Sequence, residues 1–158
     1  MRIGVVVALL WALPAAAQWT YGQQKDEMSG KTEVHAYVPS FNSLALPFPY
    51  AGTNMGQLLV RRHPRYGLGV IFSIDKGQII CQSYGDDCYV KVKYDDGPVH
   101  HFSASPPDDG SSTHIFLNDP ARFIAGARKA KEIRVQATYY QGGSPALLFK
   151  TPGPLEWK

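Results

Sequence analysis

The sequence predicts a mainly β fold, an antiparallel β-sandwich or partly open barrel with one late α-helix over about residues 119–130. Three observations carry this. Short runs rich in Val, Ile, Tyr, Phe and Thr recur at intervals of about 8 to 12 residues, and Gly, Pro and Asp turns separate them. Only one stretch, near the end, shows helical spacing of its apolar residues. No repeat or low-complexity tract interrupts residues 18–158, which read as a single β-rich domain.

Residues 1–17 stand apart. Arg2 precedes an apolar run over 3–13 and then Pro14-Ala15-Ala16-Ala17, the order of a signal peptide ending in a small-residue cleavage site. The run is too short for a membrane span, which needs roughly 20 apolar residues. Removing 17 of the 158 residues leaves 141. Loss of Arg2 leaves 15 basic against 13 acidic residues, a net +2. The expected location is therefore periplasmic or secreted, with no membrane span after cleavage. A charge of +2 gives no ground for nucleic-acid binding.

Along the mature chain, Trp19-Thr20-Tyr21 opens a short strand that passes into a polar loop, and 33–38 is strand-like in content. Residues 41–52 hold Pro47 and Pro49 and read as an irregular, aromatic-bearing segment. Strands over 57–63 and 68–74 flank the turn Pro64-Arg65-Tyr66-Gly67. Two β-rich runs, 78–81 and 88–94, follow; in the second, Val90 and Val92 alternate with Lys91 and Lys93 and take the opposite face. Asp95-Asp96-Gly97 turns the chain into 99–104, and a Pro/Asp/Gly loop over 105–112 leads to a strand at 113–117.

Asn118 or Asp119 caps the helix and Pro120 suits its first position. Ala121, Ile124, Ala127 and Ala130 recur along one face, and Arg128, Lys129 and Lys131 stand near the C-terminus, where cations favour the dipole. Alternation over 133–139 gives the clearest half-buried strand, Gly142-Gly143-Ser144 turns it into 146–150, and 155–157 closes the chain.

In an oxidising compartment Cys81 and Cys88 read as a disulfide clamping a hairpin near its turn, worth roughly 2.5 kcal/mol for so small a loop.

Residues that carry chemistry elsewhere read mostly as structure here. His100, His101 and His114 lie near Ser105, Ser111, Ser112, Asp108 and Asp109, but no serine stands in a nucleophile elbow. Adjacent His100 and His101 project to opposite faces of a strand and cannot share an ion. The pairs Asp86-Asp87, Asp95-Asp96 and Asp108-Asp109 fall in turns; calcium uses clustered carboxylates, yet no D-x-D-x-D-G loop is present. Basic residues gather at Arg61, Arg62 and Arg65 and again over Arg128, Lys129, Lys131 and Arg134. Phe41, Phe48, Tyr50, Tyr66 and Tyr84 occupy loops or their edges.

Leu59-Val60-Arg61, Gly77-Gln78-Ile79-Ile80-Cys81, the run from Cys88 to Gly97, Ser111-Ser112-Thr113-His114-Ile115-Phe116 and the closing 149–157 carry a resemblance. Over about 57–157 the chain resembles small exported proteobacterial proteins of unknown function. It is distantly similar in layout to the VasI-like proteins associated with type VI secretion. That resemblance implies an exported β-rich accessory or interaction domain and brings no catalytic residue with it.

The expected function is an exported, non-catalytic binding or accessory protein. It contacts a protein partner or cell-envelope component through basic and aromatic surface, with Arg61, Arg62, Arg65, Tyr50 and Tyr66 as candidate contacts, and no cofactor or metal is implied. Two alternatives stay open: a metal-assisted or Ser/His hydrolase around His100 to His114, and a binder of glycan or peptidoglycan fragments through the loop aromatics.

Overall fold

The computed structural model describes residues 18–81 and 88–158; residues 1–17, on which the expected signal peptide falls, and the 82–87 segment, which includes Tyr84 and the Asp86-Asp87 pair, lie outside the described residues. The elements in chain order are β1 (Thr20–Lys25), β2 (Thr32–Ser43), β3 (Met55–His63), β4 (Gly67–Ile74), β5 (Tyr89–Tyr94), β6 (Val99–Ser105), β7 (His114–Leu117), α1 (Pro120–Ala127), β8 (Glu132–Gln136) and β9 (Ala146–Lys150). The strands form one sheet in the order β1-β2-β3-β4-β7-β6-β5-β8-β9. Every neighbouring pair is antiparallel. The fold is thus mainly β with one short late helix, as the alternation requires.

The sheet curls without closing into a barrel. β1 covers only the Thr32–Tyr37 half of β2, and the other half meets β9. There the Asn42 side chain takes the place of a strand backbone: its amide nitrogen donates to the Ala146 carbonyl at 3.1 Å and its oxygen accepts from the Leu148 N–H at 2.7 Å.

Alternation along each strand sends one face inward. Val38, Leu58, Val60, Phe72, Val90, Val92, Val135, Leu147 and Phe149 are fully buried, and each large aliphatic or aromatic side chain so placed contributes about 1.5–3 kcal/mol of transfer free energy. Helix α1 lays Phe123, Ile124 and Ala127 on this core. Tyr94 crosses beneath the helix, donating its hydroxyl to the Phe123 carbonyl at 3.1 Å. Its ring occupies the space a Cβ at Gly126 would need. At the opposite pole buried Asn54 donates to the Lys76 carbonyl and accepts from the Lys76 N–H. Tyr139 is buried, among the described residues its hydroxyl has no partner, and burial pushes that phenol well above its ordinary range.

Several boundaries differ from the sequence reading, each for a local reason. β1 runs on to Lys25 instead of breaking after Tyr21, because β2 continues to pair with it residue by residue. β2 extends to Ser43, since Pro39, which lacks a ladder donor, sits where the register to β3 shifts. Leu44 and Leu46 from the irregular segment enter the core. The 78–81 run makes only a bridge, Ile79 to Tyr139. Cys81 and Cys88 are bonded, with Cα atoms 4.5 Å apart, so the bridge ties β5 to that irregular stretch and not to a partner strand.

The helix begins at Asp119, whose side chain accepts from the Arg122 N–H, but ends at Ala127, short of the expected Ala130. Carbonyls past that point are claimed by the C-terminal tail: Leu155 donates its N–H to Ala127, and the Thr151 hydroxyl donates to Ala130. Lys129 and Lys131 therefore lie outside the last turn. β8 stops at Gln136, three residues early, as Tyr139 turns to bond Gly143. The 155–157 segment packs as an extended tail and not as a strand.

Candidate functional site

The two outward surfaces of the sheet carry opposite electrostatic solutions. On β2 and β3, Arg61 lies opposite His35. The Glu33 carboxylate sits 3.8 Å from Arg61 and 3.9 Å from both His35 and His63. Arg61 also lies 5.9 Å from the centre of the Phe116 ring. One acid therefore serves three basic groups.

The basic residues singled out by sequence do not converge. Arg62 follows Arg61 on a strand and so projects to the other face, where it donates to the Lys158 carbonyl at 3.2 Å. Arg65 is in the β3–β4 turn, 5.4 Å from the centre of the Tyr66 ring, and His63 stacks on that ring at 4.7 Å. Tyr50 accepts from Gln78 at the far end of the same hairpin, roughly 25 Å away by strand rise. His100 packs inward against Tyr94, whereas His101 faces out and stacks on Tyr89. Ser105 bonds Asn118 and Ser111 bonds Thr113; among the described residues no serine hydroxyl bonds a histidine. Asp95 accepts the Lys131 and Glu132 N–H groups, and Asp109 that of Ser111. These two carboxylates shape turns, and among the described residues no group of three metal-binding side chains gathers.

Across β6, β5, β8 and β9 the outward residues assemble a different surface. Val90 and Val92 face the core, which fixes Tyr89, Lys91 and Lys93 outward; Ile133 and Val135 likewise fix Arg134 and Gln136. Register then aligns two rows. One reads Val99, Lys93, Arg134, Leu148, and the other His101, Lys91, Gln136, Ala146. Directly opposite residues in antiparallel strands have Cβ atoms about 4.5–5.5 Å apart, and like charges placed so repel. Lys93 stands in that relation to Arg134.

These side chains border a shallow hollow of about 450 Å³ lined by Lys91, Lys93, Val99, His101, Arg134 and Gln136. Arg134 is held in place, donating to the Glu132 carboxylate at 2.9 Å and to the Asp95 carbonyl at 3.4 Å. Among the described residues neither Lys91 nor Lys93 has a carboxylate within 4 Å. Aromatic groups rim the surface: Tyr89 is half exposed over His101, and Lys150 sits 3.9 Å from the centre of the half-exposed Phe41 ring. Sequence alternation exposes the lysines of β5, but their meeting with Arg134, 41 positions on, depends on the β5–β8 pairing.

The chain matches no family model, no curated protein and no solved structure.

Proposed function

We propose that the protein is an exported, non-catalytic binding or accessory protein whose partner, a protein or an envelope component, is acidic and docks on the outer face of β6, β5, β8 and β9. The observation that carries this reading is the direct cross-strand placement of Lys93 against Arg134. Next to it Lys91 stands opposite His101. Such an arrangement costs folding free energy, and an anionic partner recovers it. The disulfide between Cys81 and Cys88 suits an oxidising compartment. Among the described residues no helix is long and apolar enough to cross a membrane. Export rests on the leader-like residues 1–17, and the accessory role is what the distant resemblance in layout to type VI secretion-associated proteins implies.

The test compares two charge-reversed variants in binding to polyglutamate and to vesicles containing phosphatidylglycerol. Lys91→Glu/Lys93→Glu should lose most of the binding, and Arg61→Glu/Arg65→Glu should retain it. The reverse result would move the contact to the β3 region. Fractionation of cells expressing the whole chain should place a product beginning at Gln18 outside the cytoplasm; an uncleaved cytoplasmic product would sink the export component.

A further inference from the structure

We infer that the hollow between β6, β5 and β8 is a site for a phosphomonoester, a dianionic phosphoryl group attached to a carbon-bearing body. This rests on the anionic-partner reading above and narrows it to one chemistry.

Charge sets the first constraint. Lys91, Lys93 and Arg134 bring three positive charges to the rim, and Glu132, bonded to Arg134, removes one. The balance of about +2 matches a phosphomonoester, which carries roughly −1.5 to −2 at pH 7. A carboxylate, with one charge and two acceptor oxygens, leaves one lysine unanswered.

Geometry supplies the second. Lys91 and Lys93 are two residues apart on one face of β5, hence about 7 Å apart along the strand. Arg134 stands beside Lys93, and His101 beside Lys91. Lys91, Lys93, His101 and Arg134 thus border one hollow from three strands, where three terminal phosphoryl oxygens can share their donors. Arg134 is held at the edge of the hollow by its bonds to the Glu132 carboxylate and the Asp95 carbonyl, which limits the side-chain freedom lost on binding.

The walls supply the third. Val99 is 54% exposed at one end of the Lys93 row, Ala146 lies at the other end of the hollow, and outside the lining Tyr89 stacks on His101 at its edge. An inorganic anion has no use for these apolar and aromatic flanks; the carbon skeleton of an esterified phosphate does.

The experiment titrates the isotopically labelled mature chain at constant ionic strength and follows the backbone amides. The probes are glycerol 3-phosphate, phosphatidic acid in phosphatidylcholine vesicles, polyglutamate and acetate. Glycerol 3-phosphate or phosphatidic acid vesicles should shift the amides of Lys91, Lys93, His101 and Arg134, and Lys93→Gln should weaken that binding about tenfold or more. The melting temperature of Lys93→Gln should hold or rise, which separates lost binding from lost folding. Response to both phosphates identifies the phosphoryl group itself as the ligand, and response to vesicles alone identifies a lipid-borne source; either supports the site. Polyglutamate binding without phosphate binding would overturn the phosphomonoester and leave the acidic-partner reading standing. Silence from all probes would overturn both, and phosphate binding indifferent to Lys93→Gln would overturn this site.

Discussion

Two sheet surfaces of one domain solve the placement of cations in opposite ways. On β2 and β3 a single carboxylate, Glu33, lies within 4 Å of Arg61, His35 and His63, so the Arg61 guanidinium is answered within the protein. On β5 and β8 Lys93 faces Arg134, Glu132 is bonded to the arginine, and among the described residues no carboxylate lies within 4 Å of Lys93. The first surface is complete without a partner. The second is an electrostatic arrangement that improves when something negative arrives, and this difference, more than the number of basic residues on either side, is the reason the proposed contact is placed there.

Charge reversal breaks the contrast most strongly. Lys91→Glu/Lys93→Glu should cut affinity for acidic probes by roughly a hundredfold, about 2.7 kcal/mol, whereas Arg61→Glu should change it less than threefold; fluorescence anisotropy at fixed salt reads both. Next comes the covalent tie into β5. Cys81→Ala/Cys88→Ala should lower stability by roughly 2.5 kcal/mol in urea denaturation, and it should weaken anion binding more than it disturbs the Glu33 cluster, because the bond fixes the start of the basic face.

Removing the acid that balances the other surface tests that surface on its own. Glu33→Gln should cost up to about 1 kcal/mol in urea denaturation and leave anion binding unchanged, since the groups it serves lie outside the hollow. The smallest effect carries the opposite sign. Lys93→Gln should raise stability by a few tenths of a kcal/mol, about 0.3, by relieving the repulsion with Arg134, even as it weakens binding. A stabilising substitution that costs function is the signature of a surface shaped for a partner.

Beneath both surfaces lies a shared interior, and alkaline pH reaches it. Tyr139 is buried, its hydroxyl has no partner among the described residues, and burial raises its pKa in the folded state. Its neutral form therefore contributes fully below the unfolded-state value of about 10. That contribution falls as pH rises above it, because the unfolded chain loses the proton first. Urea midpoints at pH 9 and pH 11 should differ more for the wild type than for Tyr139→Phe.

Much of this was legible from the residues. Alternation placed Val90 and Val92 inside and the lysines outside, and the Asp119-Pro120 start of the helix follows from capping chemistry. The same period-two rule separates Arg61 from Arg62, so their adjacency in the sequence argues against one patch, not for it. What sequence did not disclose was non-local. Lys93 and Arg134 meet because β5 pairs with β8 across 41 positions, and β5 in turn sits between β6 and β8. The helix end was likewise hidden, since the groups that claim its carbonyls come from Thr151 and Leu155. Pro39 concealed the length of β2, because a proline tolerated at a register shift looks the same in sequence as one that ends a strand.

Asn42 closes the only place where the curled sheet meets itself among the described residues, and it does so with two side-chain hydrogen bonds. A strand ladder opens as a cooperative unit, but the two hydrogen bonds of this seam are lost together by rotation of one amide. That rotation leaves the flanking ladders of both strands intact. The Leu148 amide proton, held by Asn42 alone, exchanges with solvent each time it occurs.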